Sequence, residues 1–375
     1  MTHPTQITSI DVFAVNIELA HAIRTPIGML DAARNVFIRI NTDAGIRGWG
    51  EASPFLPITG DSQESNLDTA IIVGRSLLGL DPLALDDRIE QLRSLTQGQP
   101  SIRSAFDIAF YDIAGRAKGL PVYALLGGKK SPLRSDFTIG MQDSVAATLA
   151  RLEAGLAQGF NAVKLKVGRP GLHDVDHVKA VIDRVGQAMS VKIDANQGWD
   201  YETARDCLAA MEEMNLLYCE QPTPANDYQS LKRLREDGFV AICADESLFD
   251  EHDAQNLLSM EAVDYLNIKL GKSGGISTGL RINALAEAAG CRCMVGCFAE
   301  SRLGLTAAAH LAMAQPNIAF VDLDSAFGFI EDPVHGGGTF RKDDGGVIRL
   351  TDEPGFGASL RPEFADSCHW ASVQL

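Results

Sequence analysis

The sequence predicts an α/β protein whose larger part is a TIM barrel, a closed ring of eight parallel strands, preceded by a smaller α+β domain. The barrel is predicted by a repeat in length. From about residue 133 onward, short apolar runs end in a polar residue and are followed by a helix-like segment, at intervals of 24 to 28 residues. Such an interval holds one strand, one helix and two short loops. The eight polar ends are Thr138, Lys166, Asp194, Glu220, Asp245, Lys269, Cys297 and Asp322.

The smaller domain is predicted by a different pattern over the first 125 residues. Residues 7–17 and 35–41 are β-rich, and a turn at 42–45 leads into a further strand. Residues 62–125 have apolar side chains at helical spacing. We therefore expect an α+β domain over residues 1–125, completed by the glycine-rich residues 331–375, and a barrel over residues 126–330.

A doubly wound parallel sheet is the alternative for the repeat, because its β-α units have a similar length. Eight units of nearly equal length favour closure into a barrel. In such barrels the active site lies at the carboxyl ends of the strands, so the eight polar ends should meet at one mouth.

Composition excludes several classes of function. The 375 residues include 33 Lys and Arg against 49 Asp and Glu, a net charge of −16, which argues against nucleic acid and anionic membrane surfaces as partners. We find no apolar run of about 18 residues and no secretory signal. Seven cysteines without a compact disulfide pattern predict reduced thiols and a cytoplasmic enzyme.

Three acidic residues end consecutive predicted strands, namely Asp194, Glu220 and Asp245. Three carboxylates at one barrel mouth repel each other unless a cation lies between them. Oxygen ligands without His or Cys favour Mg²⁺ over Zn²⁺. The alternative is that these acids are helix N-caps or ordinary loop residues.

Lysines occupy the strands around these acids. Lys164 and Lys166 are two residues apart on the second strand and share a face, and Lys269 ends the sixth strand, on the opposite side of an eight-stranded ring. A lysine whose pKa is lowered by burial and nearby cations acts as a base. One lysine would then remove a proton from a substrate carbon and the other would return it. The alternative is that the lysines only balance the charge of the acids.

These residues lie in motifs that resemble the muconate-lactonizing subgroup of the enolase superfamily, and the resemblance covers essentially the whole chain. The motifs are Lys164-Leu-Lys166, Asp194-Ala-Asn-Gln-Gly-Trp199, Glu220-Gln-Pro222, Ala244-Asp-Glu-Ser247, Asn267-Ile-Lys269 and Ile58-Thr-Gly-Asp-Ser62. The resemblance implies an α+β capping domain and a modified (β/α)₇β barrel.

The resemblance also implies roles for the site residues. Asp194, Glu220 and Asp245 would bind Mg²⁺, Lys166 and Lys269 would be the two bases, and Lys164 would assist electrostatically. The chemistry implied is removal of a proton α to a substrate carboxylate, with an enediolate stabilised by the metal and lysine.

The eighth predicted strand distinguishes among the reactions of the subgroup. Asp322 and Asp324 are two residues apart on one face, and a cationic substrate group is their natural partner. This pair resembles that of the dipeptide epimerases, including L-Ala-D/L-Glu epimerases, in which it holds the α-ammonium of the substrate. The alternative is that both residues cap the following helix.

Substrate specificity is predicted from two loops, 21–32 and 53–62, which should cover the mouth. The resemblance to L-Ala-D/L-Glu epimerases implies an arginine in the first loop for a glutamate side chain, and Arg24 is available, but the register places Gly28 at that point. The alternative is that Arg24 is an exposed loop charge. Apolar Ile27, Met29, Leu30 and Phe298 favour an apolar pocket. We expect L-Ala-L-X substrates in which X is apolar or mixed, possibly Glu. The predicted substrate-binding residues are Asp322, Asp324, Thr138, Arg24, Cys297 and Phe298.

The sequence thus predicts a Mg²⁺-dependent isomerase that acts on a dipeptide by 1,1-proton transfer and assembles as a homo-oligomer. A muconate cycloisomerase, an o-succinylbenzoate synthase or an N-acylamino acid racemase would use the same lysines. Two other classes are a Schiff-base aldolase using Lys269 and a catalytically silent binding protein.

Overall fold

The computed structural model describes residues 5–375, and it contains two main sheets with helices packed against them. In that range the strands are β1 (Ile7–Thr25), β2 (Gly28–Thr42), β3 (Arg47–Ala52), β4 (Leu133–Arg134), β5 (Phe137–Ile139), β6 (Ala162–Lys166), β7 (Ser190–Asp194), β8 (Cys219–Glu220), β9 (Ile242–Ala244), β10 (Tyr265–Ile268), β11 (Arg292–Val295), β12 (Ile318–Val321), β13 (Val334–Gly336), β14 (Thr339–Arg341), β15 (Val347–Arg349), β16 (Ala358–Leu360) and β17 (His369–Gln374). The α-helices are α1 (Leu56–Thr59), α2 (Gln63–Leu77), α3 (Leu85–Leu95), α4 (Pro100–Lys118), α5 (Val122–Leu125), α6 (Val145–Ala157), α7 (His173–Val185), α8 (Tyr201–Ala210), α9 (Tyr228–Asp237), α10 (Glu251–Ser259), α11 (Leu270–Ser273), α12 (Ile276–Ala288), α13 (Arg302–Ala314) and α14 (Pro362–Ser367). Short 3₁₀ helices lie at Gly186–Ala188, Glu212–Met214, Ser325–Gly328 and Lys342–Asp344.

The larger sheet confirms the predicted eight-stranded parallel repeat. Strands β5 to β12 lie side by side in the order of the chain, and the strand pairs run parallel. A doubly wound sheet would reverse its strand order in the middle, so that alternative is wrong. At least one helix follows each strand from β5 to β11, which agrees with a modified TIM barrel.

The first and last strands of this sheet approach each other through side chains. The backbone N–H of Leu323, just after β12, donates to the Ser135 hydroxyl at 2.7 Å, and the N–H of Thr138 on β5 donates to Asp324 Oδ2 at 2.9 Å. These contacts bring the end of β12 beside β5, so the sheet curls into a ring and all its strand ends face one mouth.

The N-terminal residues form a separate antiparallel sheet in the order β17-β1-β2-β3. Its apolar face packs on α2 and α4 in a core of its own, and the central part of α4 is buried. The last strand of the chain, β17, is an edge strand of this sheet. The intervening C-terminal strands pair elsewhere, since β13 pairs with β16 and β15 pairs with both β14 and β4.

A buried carboxylate joins this sheet to the barrel. Glu51 on β3 accepts hydrogen bonds from the backbone N–H groups of Ser301 and Gly304 at 2.8 Å each, and from the Ser301 hydroxyl at 2.6 Å. These donors lie at the beginning of α13, where N–H groups lack partners within the helix and the helix dipole favours negative charge. Glu51 therefore holds the N-terminal sheet against the mouth of the barrel.

The segment 21–32, predicted as a loop, is the end of a β-hairpin. β1 continues to Thr25 and β2 begins at Gly28, with Arg24 opposite Met29 in the ladder. Gly28 has φ of +145°, a conformation that glycine adopts without steric cost. The hairpin still reaches the barrel mouth, as predicted, but with the alternating side-chain directions of a strand.

Two expectations from composition concern the cysteines and membrane-spanning segments. All seven cysteines have free thiols. No helix within residues 5–375 combines the length and apolar character needed to cross a bilayer.

Candidate active site

Three buried carboxylates lie at consecutive strand ends, as the sequence predicts. Asp194 and Glu220 are paired in register at the ends of β7 and β8, and Asp245 directly follows β9. All three are 0% exposed. They are not helix caps, because the side chains that cap α8, α9 and α10 are Asp200, Asp227 and Asp250, respectively.

The lysines contact these carboxylates directly. Lys164 Nζ lies 3.2 Å from Asp194 Oδ2 and 3.1 Å from Glu220 Oε2. Lys166 Nζ lies 2.5 Å from Asp194 Oδ2, and Lys269 Nζ lies 2.8 Å from Asp245 Oδ2. The alternative of charge balance therefore describes these contacts correctly, although it does not explain why Lys166 and Lys269 also line a cavity.

The charges of the cluster shift the pKa values of its members. Burial opposes the charge on Lys269, but Asp245 and Glu220 outweigh it and raise the pKa of the ammonium above its usual value. Burial and the charge of Asp194 raise the pKa of Glu220 to about 7. Burial and the charge of Asp245 raise the pKa of Glu246 to about 8.

The donor atoms of the cluster fit a hard divalent cation. Buried oxygens of the cluster lack a hydrogen-bond partner, among them Glu246 Oε2 and Asn196 Oδ1. Carboxylate and amide oxygens without nitrogen or sulfur ligands are the donors that Mg²⁺ prefers. Within residues 5–375, however, no group of three His, Cys, Asp or Glu side chains is arranged to hold a metal. The residues fit Mg²⁺ in donor type, and a bound cation would compete with the lysines for carboxylate oxygens.

A cavity of about 410 Å³ brings the two predicted bases together at the mouth. Lys166 ends β6 and Lys269 directly follows β10, and three strands of the ring separate β6 from β10. The two ammonium groups therefore enter the cavity from opposite sides of the barrel.

The two carboxylates predicted for a substrate ammonium line the same cavity. Asp322 is buried, and its Oδ2 lies 2.6 Å from Lys164 Nζ, while its Oδ1 has no hydrogen-bond partner. Asp324 Oδ2 accepts a hydrogen bond from the N–H of Thr138. The alternative of helix capping is wrong for Asp324, because its side chain makes no capping hydrogen bond to the short helix that follows.

The remaining predicted binding residues, except Arg24, are also at the cavity. Thr138, Cys297 and Phe298 line it, and Lys269 Nζ lies 4.7 Å from the centre of the Phe298 ring. The Phe298 ring in turn lies 6.2 Å from that of Phe55, in the segment before α1. Phe298 thus forms the wall between Lys269 and the N-terminal segment 53–62.

The placement of Arg24 corrects the prediction that it binds substrate. Its guanidinium pairs with Asp143 at 2.8 Å on the surface, and both side chains are more than half exposed. Strand alternation explains this position, because the adjacent Ile23 and Thr25 line the cavity and Arg24 points the other way. The hairpin instead presents apolar side chains to the mouth, among them Ile27, Met29 and Leu30.

The sequence analysis did not single out several polar residues of the site. Asn196 lines the cavity and donates to Glu246 Oε1 at 3.1 Å. Asn196 lies two residues after Asp194, and Glu246 directly follows Asp245. This closeness in sequence to the predicted metal ligands could have identified both residues. Lys272, three residues after Lys269, is a buried lysine, and its spacing from Lys269 was the available signal.

Comparison with known proteins agrees with this architecture. Residues 7–127 match the mandelate racemase / muconate lactonizing enzyme N-terminal domain, and residues 147–364 match the enolase C-terminal domain-like family. The chain is 37% identical over 365 residues to the D-Ala-D/L-Ala epimerase of Cytophaga hutchinsonii, an alignment that covers 96% of this chain and 97% of that protein.

Two further proteins are similar over nearly their full length. The chain is 36% identical over 362 residues to the L-Ala-D/L-Glu epimerase of Bacillus subtilis, covering 94% of this chain and 96% of that protein. The crystal structure of a dipeptide epimerase from Enterococcus faecalis V583, complexed with Mg and the dipeptide L-Leu-L-Tyr, has a TM-score of 0.91 at 35% identity and covers 94% of this chain and 99% of that chain. The chain therefore belongs to the enolase superfamily, in the mandelate racemase / muconate lactonizing enzyme family.

Proposed function

We propose that this protein is a Mg²⁺-dependent dipeptide epimerase that inverts the α-carbon of the C-terminal residue in L-Ala-L-X-type substrates. The relatives described above are epimerases of dipeptides, and this chain has the residues that such a reaction needs. Asp194, Glu220 and Asp245 would hold the metal. We further propose a cytoplasmic enzyme that assembles with copies of itself.

One observation carries the proposal. Asp322 and Asp324 line the cavity that also contains Lys166 and Lys269, and Asp322 Oδ1 is a buried acceptor without a partner. A buried carboxylate oxygen is costly unless a donor reaches it. The α-ammonium of a dipeptide is such a donor, and it would orient the peptide so that its far end lies between the lysines.

The reaction is a proton transfer at one carbon. Lys166 and Lys269 approach from opposite sides, so a neutral lysine on one side removes the α-proton and the ammonium on the other side donates a proton to the opposite face. The bond from carbon to hydrogen breaks on one side and forms on the other, and the configuration inverts. Lys164, held between Asp194, Glu220 and Asp322, contributes fixed positive charge near the enediolate. A bound Mg²⁺ would supply further stabilisation of that negative charge.

The cavity wall supports an apolar X. Ile27, Met29 and Leu30 of the hairpin and Phe298 of the barrel line it. Arg24, the cation considered for a glutamate side chain, pairs with Asp143 instead. We therefore propose that apolar C-terminal residues are preferred over Glu.

Removing the substrate charge tests the role of the two aspartates. L-Ala-L-Leu and N-acetyl-L-Ala-L-Leu differ in the ammonium group that the aspartates would bind. We expect kcat/KM to be about 100-fold lower for the acetylated dipeptide, because the buried carboxylates lose their cationic partner. Equal turnover of both compounds would contradict the proposal and favour the racemase or cycloisomerase alternatives, whose substrates have no ammonium.

A further inference from the structure

A fourth lysine at the mouth, Lys272, is bound in a way that differs from the others. It is 0% exposed and lies on α11, three residues after Lys269. Its ammonium donates to the backbone carbonyls of Asp245 at 2.5 Å, Leu248 at 2.6 Å and Asn267 at 2.9 Å. A lysine ammonium has three N–H donors, so each of them has a carbonyl partner.

The full set of hydrogen bonds made by the Lys272 ammonium distinguishes it from the two proposed bases. Lys269 makes one charged contact, with Asp245 Oδ2, and otherwise faces the ring of Phe298. Lys269 is therefore able to exchange its carboxylate partner for a substrate. Lys272 would have to break three buried hydrogen bonds to move, and the carbonyls that it left would be buried without a donor. It is therefore a fixed charge and not a base.

The three carbonyls join the two segments on which the chemistry depends. Asp245 and Leu248 belong to the loop after β9, and Asn267 belongs to β10. Lys272 Nζ also lies 3.1 Å from Asp245 Oδ1, and the Asn267 side chain donates to Glu220 Oε1 at 2.8 Å. The Lys272 ammonium thus links Asp245 directly, and Glu220 through Asn267, to the turn that begins at Lys269.

We propose that Lys272 is a positioning residue that fixes the carboxylate of Asp245 for the metal and the backbone of Lys269 for proton transfer. It acts through the loop after β9 and through α11, whose N–H groups at Lys272 and Ser273 bond to the carbonyl of Lys269. The assignment rests on the proposed function for the roles of Asp245 and Lys269.

Lys272→Met tests this role, because it keeps the aliphatic volume and removes the three donors. The matched control is Lys192→Met. Lys192 is 3% exposed and pairs with Asp136 inside the barrel, without a contact to the proposed metal ligands. We expect Lys272→Met to weaken Mg²⁺ binding, measured by titration calorimetry, about 10- to 100-fold, the usual effect of losing a group that orients a metal ligand. Lys192→Met should lower the melting temperature but leave the Mg²⁺ affinity within about twofold.

The second measurement is the rate of α-proton exchange in D₂O for L-Ala-L-Leu and for L-Ala-D-Leu. Displacing Lys269 but not Lys166 should slow exchange for one epimer more than for the other, and a displacement of about 1 Å is worth up to about 100-fold. A purely structural role would slow both epimers equally. If Lys272→Met does not fold, Lys272→Gln, which keeps two N–H donors, replaces it in both measurements.

Two results would overturn the inference, namely a Mg²⁺ affinity like that of Lys192→Met and an unchanged ratio of the two exchange rates. Its failure is distinguishable from failure of the proposed function. If the wild-type protein exchanges no dipeptide proton, the epimerase proposal fails, whereas the comparison of Mg²⁺ affinities between the two lysine variants still decides the role of Lys272.

Discussion

The carboxylate of Asp322 lies 2.6 Å from the ammonium of Lys164, and it uses only one of its two oxygens for this contact. Lys164 holds Asp322 ionised, since burial raises the pKa of this carboxyl but the lysine outweighs burial and keeps it below its usual value. The free oxygen remains an acceptor inside the cavity. This pair therefore connects the lysines that would move protons to the carboxylates that would hold the substrate.

Substrate binding should depend on pH through Asp324. Burial and the charge of Asp322 raise the pKa of Asp324 to about 7. The group is protonated below that value, and a protonated carboxyl pairs poorly with an ammonium, so KM for L-Ala-L-Leu should fall as pH rises through about 7. Asp324→Asn should raise KM and remove this dependence, as measured by initial rates between about pH 6 and 8. The same pH dependence in Asp324→Asn would show that another group titrates.

Each proposed base should serve one epimer. In Lys269→Ala we expect epimerisation to fall by about 10²–10⁴-fold, the usual contribution of a general acid or base. In Lys166→Ala the rate of epimerisation should fall by a similar factor. In each variant the remaining lysine should still exchange the α-proton of one epimer in D₂O, and the retained epimer should differ between the two variants. If both variants retain exchange of the same epimer, the lysines do not act on opposite faces.

Arg24 should contribute little to catalysis. Its ion pair with Asp143 is exposed, and such pairs stabilise a protein by about 0–1 kcal/mol. Arg24→Ala should therefore change kcat/KM for L-Ala-L-Leu by less than about threefold, equivalent to roughly 0.6 kcal/mol. Phe298→Ala, which removes a wall of the cavity, should reduce it by at least about tenfold. A large loss in Arg24→Ala alone would show that the hairpin turns inward when substrate binds.

His310 should make the protein sensitive to acid. Its side chain is buried, its Nδ1 accepts from the N–H of Tyr123, and burial lowers its pKa from 6.5 to about 3. Below pH 6.5 the unfolded chain gains a proton that the folded chain does not accept until about pH 3, so the free energy of unfolding falls as pH drops through this interval.

His310→Asn removes this titration while keeping an acceptor of similar position. The loss of stability between pH 7 and pH 5, measured by urea denaturation, should be up to about 2 kcal/mol smaller than in the wild type. The control is His173→Asn, at an exposed position, which should follow the wild type. An unchanged pH slope in His310→Asn would contradict the assignment.

The barrel and its acids were predictable because the relevant information is local. Each of Lys166, Asp194 and Glu220 ends a strand as predicted, since an apolar run followed by a polar residue at a fixed interval specifies both the strand and its end. The Mg²⁺ site and the lysine roles remain predictions, because the structure shows these groups paired with each other.

Contacts between distant segments were not predictable in the same way. Arg24 lies in a segment that reads as a loop, and its outward direction follows from ladder pairing between Arg24 and Met29 that the sequence does not state. The spacing of Lys272 from Lys269 does not specify which groups its ammonium contacts. The role of Lys272 follows from three carbonyls, two of which lie more than 20 residues earlier in the chain.

Proton exchange at the dipeptide α-carbon tests the central claim most directly. The protein, supplied with Mg²⁺, would be incubated in D₂O with a library of L-Ala-L-X dipeptides and analysed by mass spectrometry and by separation of epimers. We predict that one deuterium enters the C-terminal residue and that both epimers appear, fastest where X is apolar. Absence of deuterium from every dipeptide in the library would contradict the assignment of this site as an epimerase.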